Sequence, residues 1–289
     1  MLSYVLSLAL SLGLGASSLS GANLMQDPGD GGQKTYEQLE GFVGIVVKQI
    51  NRSFGTERLP AANGFPVEPG MYLTVGSSQM TVFDRVGATL QGGQPADSTA
   101  AAECKSGCSR AYFDALRHAW LDLLNEGAAI GDEMPNRVLI GADAAIPARS
   151  FIDAAYAAAE SRPGGVPSLY ILLNAGPGGL RARNFFLVPP GGMRLTAATN
   201  ALGLRIVVKG GQQYELSSAD GRSVTKQTIN SAQALGEALS AVDRRFPSKD
   251  AVVLEAAGSA TVGDVVQAMV VTEERFPIPI LSMGDKLSR

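Results

Sequence analysis

Residues 137–143 read Arg-Val-Leu-Ile-Gly-Ala-Asp, and this short apolar run determines how we divide the rest of the chain. A run of this length that ends in small and acidic residues predicts a buried β-strand followed by a turn. Pro147 then opens a helix, since proline is favoured in a first helical turn. Residues 168–173, Ser-Leu-Tyr-Ile-Leu-Leu, predict a second buried strand. The helix between the two strands is expected to bury Phe151, Ile152, Ala155 and Ala159.

Upstream of this unit the sequence predicts a hairpin and one more helix. Residues 71–75 and 80–83 are apolar runs around a Gly-Ser-Ser turn. Residues 109–126 have apolar side chains at three- and four-residue steps, which is the period of an amphipathic helix. The residues of that stripe are Phe113, Leu116, Trp120 and Leu124.

Downstream, the same order of elements occurs again. Residues 204–208 and 213–216 predict a hairpin around Gly210-Gly211, and residues 251–256 and 279–281 predict strands. Helices are expected at 231–246 and 261–273. The order strand, strand, helix, strand, helix, strand therefore appears twice, which predicts an α+β fold with two copies of a small sheet carrying two helices.

The predicted copies span residues 70–175 and 202–284. Residues 27–69 contain an amphipathic helix (35–54) and a linker, and residues 176–201 form a second linker rich in proline and glycine. Within this second linker, Arg181, Arg183 and residues 185–188 predict a strand or docking segment.

Residues 1–26 carry no charged side chain and are apolar enough to enter a membrane. Two interpretations stay open. A cleaved secretory signal fits the small residues at 15–18 and the Ser20-Gly21-Ala22 cleavage site. An uncleaved single membrane anchor fits the length of the segment.

Composition narrows the classes of function. The chain has 289 residues, 24 Lys and Arg against 27 Asp and Glu, and one histidine. A net charge of -3 gives no basic field for nucleic acid. The only cysteines, Cys104 and Cys108, predict a local structural disulfide, which agrees with export. A zinc site would need two further ligands, so we expect no metal and no cofactor.

The candidates for catalysis also have simpler explanations. His118 projects away from the apolar stripe of its helix and is expected to be solvated. The serine pairs at 17–18, 77–78 and 217–218 lack a nucleophile-elbow context, and the glycine clusters at 176–179 and 191–192 lack the phosphate-loop lysine. Five carboxylates are interpreted as strand-end and helix-surface groups, with Asp264 suited to a helix N-terminus: Asp143, Asp153, Asp250, Glu255 and Asp264. We therefore predict that the chain is not an enzyme.

The element order behind one apolar segment resembles the periplasmic domain of the ExbD/TolR family. Residues 137–143 with Ile146-Pro147 are similar to the apolar strand, terminal aspartate and next helix of that family. In the second copy, residues 250–256 and 261–269 match in the same way, and the stretch Val265-Val266-Gln267-Ala268-Met269 is the closest. One feature departs from the family: its transmembrane aspartate has no counterpart within residues 1–26.

The resemblance implies a non-catalytic subunit of a proton-motive-force-driven biopolymer transport or force-transducing complex. It implies a single-pass inner-membrane protein with its bulk in the periplasm, a proton-channel partner of the ExbB/TolQ type, contact with the cell wall or an envelope protein, and a homodimer. The missing acid argues against direct proton carriage. The alternative is a periplasmic or secreted binding scaffold with no motor partner.

Overall fold

The computed structural model describes residues 30–130, 135–188, 202–218, 221–247, 251–276 and 278–282. These residues form one large mixed sheet and five α-helices, which confirms the expected mixture of helices and strands. The predicted anchor or signal at residues 1–26 lies outside the described residues. Within them, no helix has both the length and the apolar character needed to cross a membrane.

The helices are amphipathic or buried segments bounded by recognisable end signals. They are α1 (Asp30–Ser53), α2 (Arg110–Ile130), α3 (Ala148–Ser161), α4 (Ala232–Arg245) and α5 (Val262–Glu273). Pro147 precedes α3 as predicted. Ser231 caps α4, and Thr261 forms a capping box with Asp264 at the start of α5. These caps bind N–H groups that have no partner inside the helix.

The strands follow the predicted order, with additional strands at the sheet edges and within the linkers. They are β1 (Phe65–Pro66), β2 (Met71–Val75), β3 (Gln79–Val82), β4 (Arg85–Gln91), β5 (Gln94–Pro95), β6 (Arg137–Ala142), β7 (Ser168–Asn174), β8 (Leu180–Leu187), β9 (Arg205–Lys209), β10 (Gln213–Ser217), β11 (Gln227–Ile229), β12 (Ala251–Ala256) and β13 (Ile278–Ser282). The sequence did not predict β1, β4, β5 or β11.

Each half of the sheet has the same internal arrangement. In the first half β2, β6 and β7 are parallel neighbours, and β3 pairs antiparallel with β2. In the second half β9, β12 and β13 are parallel neighbours, and β10 pairs antiparallel with β9. A helix crosses between each pair of consecutive parallel strands, as parallel pairing requires.

Strand β8 joins the two halves into one sheet. It comes from the predicted linker, where a strand or docking segment was expected, and it pairs antiparallel with β7 from Leu180 to Phe185. Its last residues, Phe186 and Leu187, pair parallel with β13. The sequence predicted a small sheet in each half. The structure instead has a single thirteen-stranded sheet, because β8 satisfies the backbone groups of both inner edges.

The helices lie in layers on the two faces of the sheet. On one face α1 packs against the first half, where Ile50 lies close to Gly141 and the Gln49 amide donates to the Thr81 hydroxyl over 2.9 Å. On the opposite face α3 packs Phe151 against Phe185, with ring centroids 5.4 Å apart. Helix α3 is buried on nearly all sides because α2 and α5 both contact it.

The starts of α3 and α5 meet and bind each other through the backbone. The Ala148 N–H donates to the Ala260 carbonyl over 2.9 Å, and the Val262 N–H donates to the Ile146 carbonyl over 3.0 Å. These reciprocal bonds lie on either side of a bridge between Pro147 and Thr261. Corresponding turns of the two halves are therefore fixed to each other.

Most side chains expected in the core are buried, but one assignment in α2 was wrong. Leu124 is 41% exposed, whereas Leu123 is only 3% exposed. From Trp120 a step of three residues follows the buried stripe, and a step of four moves away from it, because the helix turns 100° per residue. The predicted inward residues of α3 are all buried.

Candidate functional site

The predicted cysteine pair lies against α3. The Sγ atoms of Cys104 and Cys108 are 2.13 Å apart, the separation of a disulfide bond, and both residues are buried. Two carboxylates of α3 accept backbone N–H groups of this loop. Glu160 accepts from Ser106 over 3.0 Å, and Asp153 accepts from Ser109 over 2.9 Å. The pair therefore belongs to a loop held by packing and hydrogen bonds.

Three of the other predicted carboxylates have structural partners. Asp143 is buried, pairs with Arg58 and accepts the Ala145 N–H over 3.0 Å. Glu255 is buried and pairs with Arg205. The capping role of Asp264 agrees with the place expected for it at a helix N-terminus. Asp250 lies outside the described residues. No two of these carboxylates form a pair in the part of the chain that the structure covers.

Buried tyrosines have strongly raised pKa values, but their surroundings are those of core residues. Burial raises the pKa of Tyr72 and of Tyr156 to about 12. The Tyr156 hydroxyl donates to the Val188 carbonyl over 2.8 Å. A phenol that stays protonated and bound to the backbone serves packing better than proton transfer.

His118 is exposed on α2, as predicted, and borders a groove between α2 and β4. Among the described residues its imidazole has no hydrogen bond or ion pair. Asp122, one helical turn after His118, pairs instead with Arg85 over 3.0 Å. His118 therefore lacks the oriented partner that a catalytic imidazole needs.

We call this cleft the β4 groove, and its volume is about 210 Å³. Its walls are largely apolar or small, with polar groups only at the rim. They come from β3, the β3–β4 turn, β4 and α2, namely Val82, Phe83, Arg85, Val86, Gly87, Ala115, His118, Ala119, Asp122 and Leu123. No single sequence motif could reveal it, since these segments are separate in the chain.

A second surface, the open β8 face, lies on the α1 side of the sheet. Phe65 is 64% exposed and Phe186 is 49% exposed, whereas Tyr170 is half-buried beside Asn184 of the neighbouring strand. A shallow cavity of about 410 Å³ lies against Phe65, Tyr170 and Asn184. The Phe-Phe pair at 185–186 is the sequence signal for this surface, because strand alternation buries one ring and exposes the other.

None of the described residues form a cluster of side chains that could hold a metal ion. Comparison of the chain with known protein families, with curated proteins and with solved structures finds no match in any of the three.

Proposed function

We propose that this protein is a non-catalytic envelope subunit of the ExbD/TolR kind. It serves a proton-motive-force-driven biopolymer transport or force-transducing complex. In this proposal residues 1–26 anchor the chain in the inner membrane, and the folded part lies in the periplasm. The single observation in its favour is the shared arrangement of both halves, which have one order of strands and helices and the same parallel centre.

The proposal includes a duplication. The two halves are diverged copies of one unit, 70–175 and 202–284, and β8 bridges them. Supporting this, the turns after β6 and β12 occupy corresponding places and bind each other reciprocally.

Partner binding is the role that the surfaces favour. The candidate carboxylates among the described residues have structural partners, whereas large aromatic side chains are exposed at the open β8 face. Exposed apolar surface of this kind marks interaction sites. Because residues 1–26 contain no acid, a separate channel subunit of the ExbB/TolQ type would carry the protons. A homodimer would form by pairing of a free sheet edge such as β11.

The direct test is co-purification of the full-length chain from detergent-solubilised membranes. We expect a proton-channel subunit to be recovered, and Phe186→Ala to reduce recovery of periplasmic partners. Val166→Ala is the matched control, since Val166 is 72% exposed but lies outside the open β8 face. Failure to recover any channel subunit with the full-length chain would contradict the transport role.

Mass spectrometry of the mature N-terminus separates this proposal from the second candidate. An intact Met1 supports the anchored subunit. A start near Asn23 would favour the periplasmic or secreted scaffold. The small residues before that point and the cysteine pair also favour this second candidate.

A further inference from the structure

Strand β4 has a free edge along most of its length. Its inner edge pairs with β3 at Arg85, Val86, Ala88 and Thr89, and a bulge at Gly87 shifts the register between the two pairs. On its outer edge β5 pairs only with Leu90 and Gln91. Among the described residues, no strand lies beside the outer edge of 85–89. Backbone N–H and C=O groups on an unpaired edge are a template for another strand.

The β4 groove adjoins this edge, and small residues keep it open. At Gly87 an added Cβ would lie 3.0 Å from the Ala115 Cβ and 3.0 Å from the Met80 Cε, so any side chain at this position would crowd α2 and occupy this part of the groove. Ala119, one helical turn further on, leaves the space unfilled. An apolar cavity of about 150 Å³ holds a benzene molecule, so 210 Å³ accommodates one leucine or phenylalanine side chain.

The charge at the rim favours a neutral, apolar anchor. Arg85 and Asp122 pair with each other over 3.0 Å, which leaves no net charge for an ionic ligand. His118 is exposed at the same rim, where its imidazole can form a hydrogen bond with a carbonyl or hydroxyl group of a ligand. A free strand edge beside a pocket for one side chain fits an extended peptide better than a compact small molecule.

We propose that the β4 groove binds an extended peptide segment of a partner protein. The segment pairs with Arg85–Thr89 as an added strand and inserts one apolar side chain between β4 and α2. Main-chain hydrogen bonds supply affinity in this mode of recognition, and the pocket supplies specificity. The inference does not rest on the ExbD/TolR resemblance, because it uses only the geometry of the first half.

The test uses the full-length chain and fluorescein-labelled, capped heptapeptides of threonine with one variable central residue. Fluorescence anisotropy measures affinity for central leucine, phenylalanine, serine and aspartate. We expect leucine and phenylalanine peptides to bind about tenfold or more tightly than serine, because their side chains lose apolar surface to water. Hydrogen exchange should slow at residues 85–89 on binding of the leucine peptide.

Two further comparisons separate strand addition from simple apolar contact. N-methylation of alternate backbone nitrogens in the leucine peptide should weaken binding about tenfold or more, and it requires no change in the protein. Ala119→Leu should fill the pocket and weaken binding similarly. Leu121→Ala is the matched control, since Leu121 is 39% exposed on α2 and does not line the groove.

Equal affinity for the serine and leucine peptides would overturn the proposal, as would absence of binding by all four. Protection at the open β8 face or at β11, with none at β4, would also overturn it. Loss of the channel subunit in co-purification, by contrast, would leave these peptide affinities unchanged and would concern the proposed function alone.

Discussion

Removing the Cys104–Cys108 bond should lower the free energy of unfolding by about 2 kcal/mol. A cross-link stabilises mainly by reducing the entropy of the unfolded chain, and a loop of about five residues gives roughly 2 kcal/mol at 25 °C. The hydrogen bonds from Ser106 to Glu160 and from Ala101 to the Cys108 carbonyl act in the folded state, so they do not diminish this entropic effect. At about 2–4 °C per kcal/mol for a chain of this size class, the melting temperature should fall by about 4–8 °C.

The assay is thermal and urea denaturation of the wild type with and without reductant, followed by circular dichroism. The matched control is the double variant Cys104→Ala, Cys108→Ala, which should be less stable under oxidising conditions and insensitive to reductant. If reductant leaves the wild type unchanged, or destabilises the double variant equally, the bond does not contribute in the way we infer.

Three further predictions test the packing and electrostatics. Leu123→Ala should lower the free energy of unfolding by about 2–5 kcal/mol and Leu124→Ala by less than about 0.5 kcal/mol, since only Leu123 is buried. Equal losses for the two variants in urea denaturation would refute the assignment of the α2 stripe. Thr261→Ala should cost about 1 kcal/mol by removing a cap, and Thr261→Ser should retain most of that stability in the same assay. The Lys226 hydrogen bond lowers the pKa of Glu215 below its usual 4.5, so its stabilisation is present above that pH and is lost as pH falls through the lowered value. Glu215→Gln should therefore show a weaker loss of stability in acid, and a pH series with the same slope as the wild type would contradict this.

The buried elements were predictable because their signals are strong and local. Residues 137–143 and 168–173 are continuous apolar runs, and both became central parallel strands. The apolar stripe of α5 and the N-cap Thr261 predicted the bounds of that helix, which is observed at Val262–Glu273. Helix α1 begins at Asp30, earlier than the expected start at residue 35, because helix ends depend on weak preferences.

The edge elements were harder to predict for a physical reason. The first three residues of β4 are exposed, and one of them is a glycine, so neither alternation nor strand preference marks them. Strands β5 and β11 have two and three residues, too few for any period. Their pairing depends on neighbours brought together by the whole sheet.

The candidate surfaces were predictable only in part. The exposure of His118 followed from its helical position, and the Phe-Phe pair in β8 lies in a segment that was predicted as a strand or docking segment and forms a strand. The β4 groove was missed because its space is created by Gly87, Ala115 and Ala119. Small residues are common in any sequence. Whether they leave a cavity depends on how the strand and the helix that carry them pack against each other.

The central position of β8 imposes an order on folding. The strand that pairs with its second edge, β13, comes after β9 to β12 in the chain. During synthesis the first half can therefore fold before β13 exists, and the edge of β8 at Phe186 and Leu187 is then still unpaired. Because β13 pairs with β8 late and over a long sequence separation, we expect this pairing to be slow. The intermediate that precedes it has an unpaired strand edge that is prone to aggregation. Until β13 pairs with it, that edge of β8 could bind a strand of another chain.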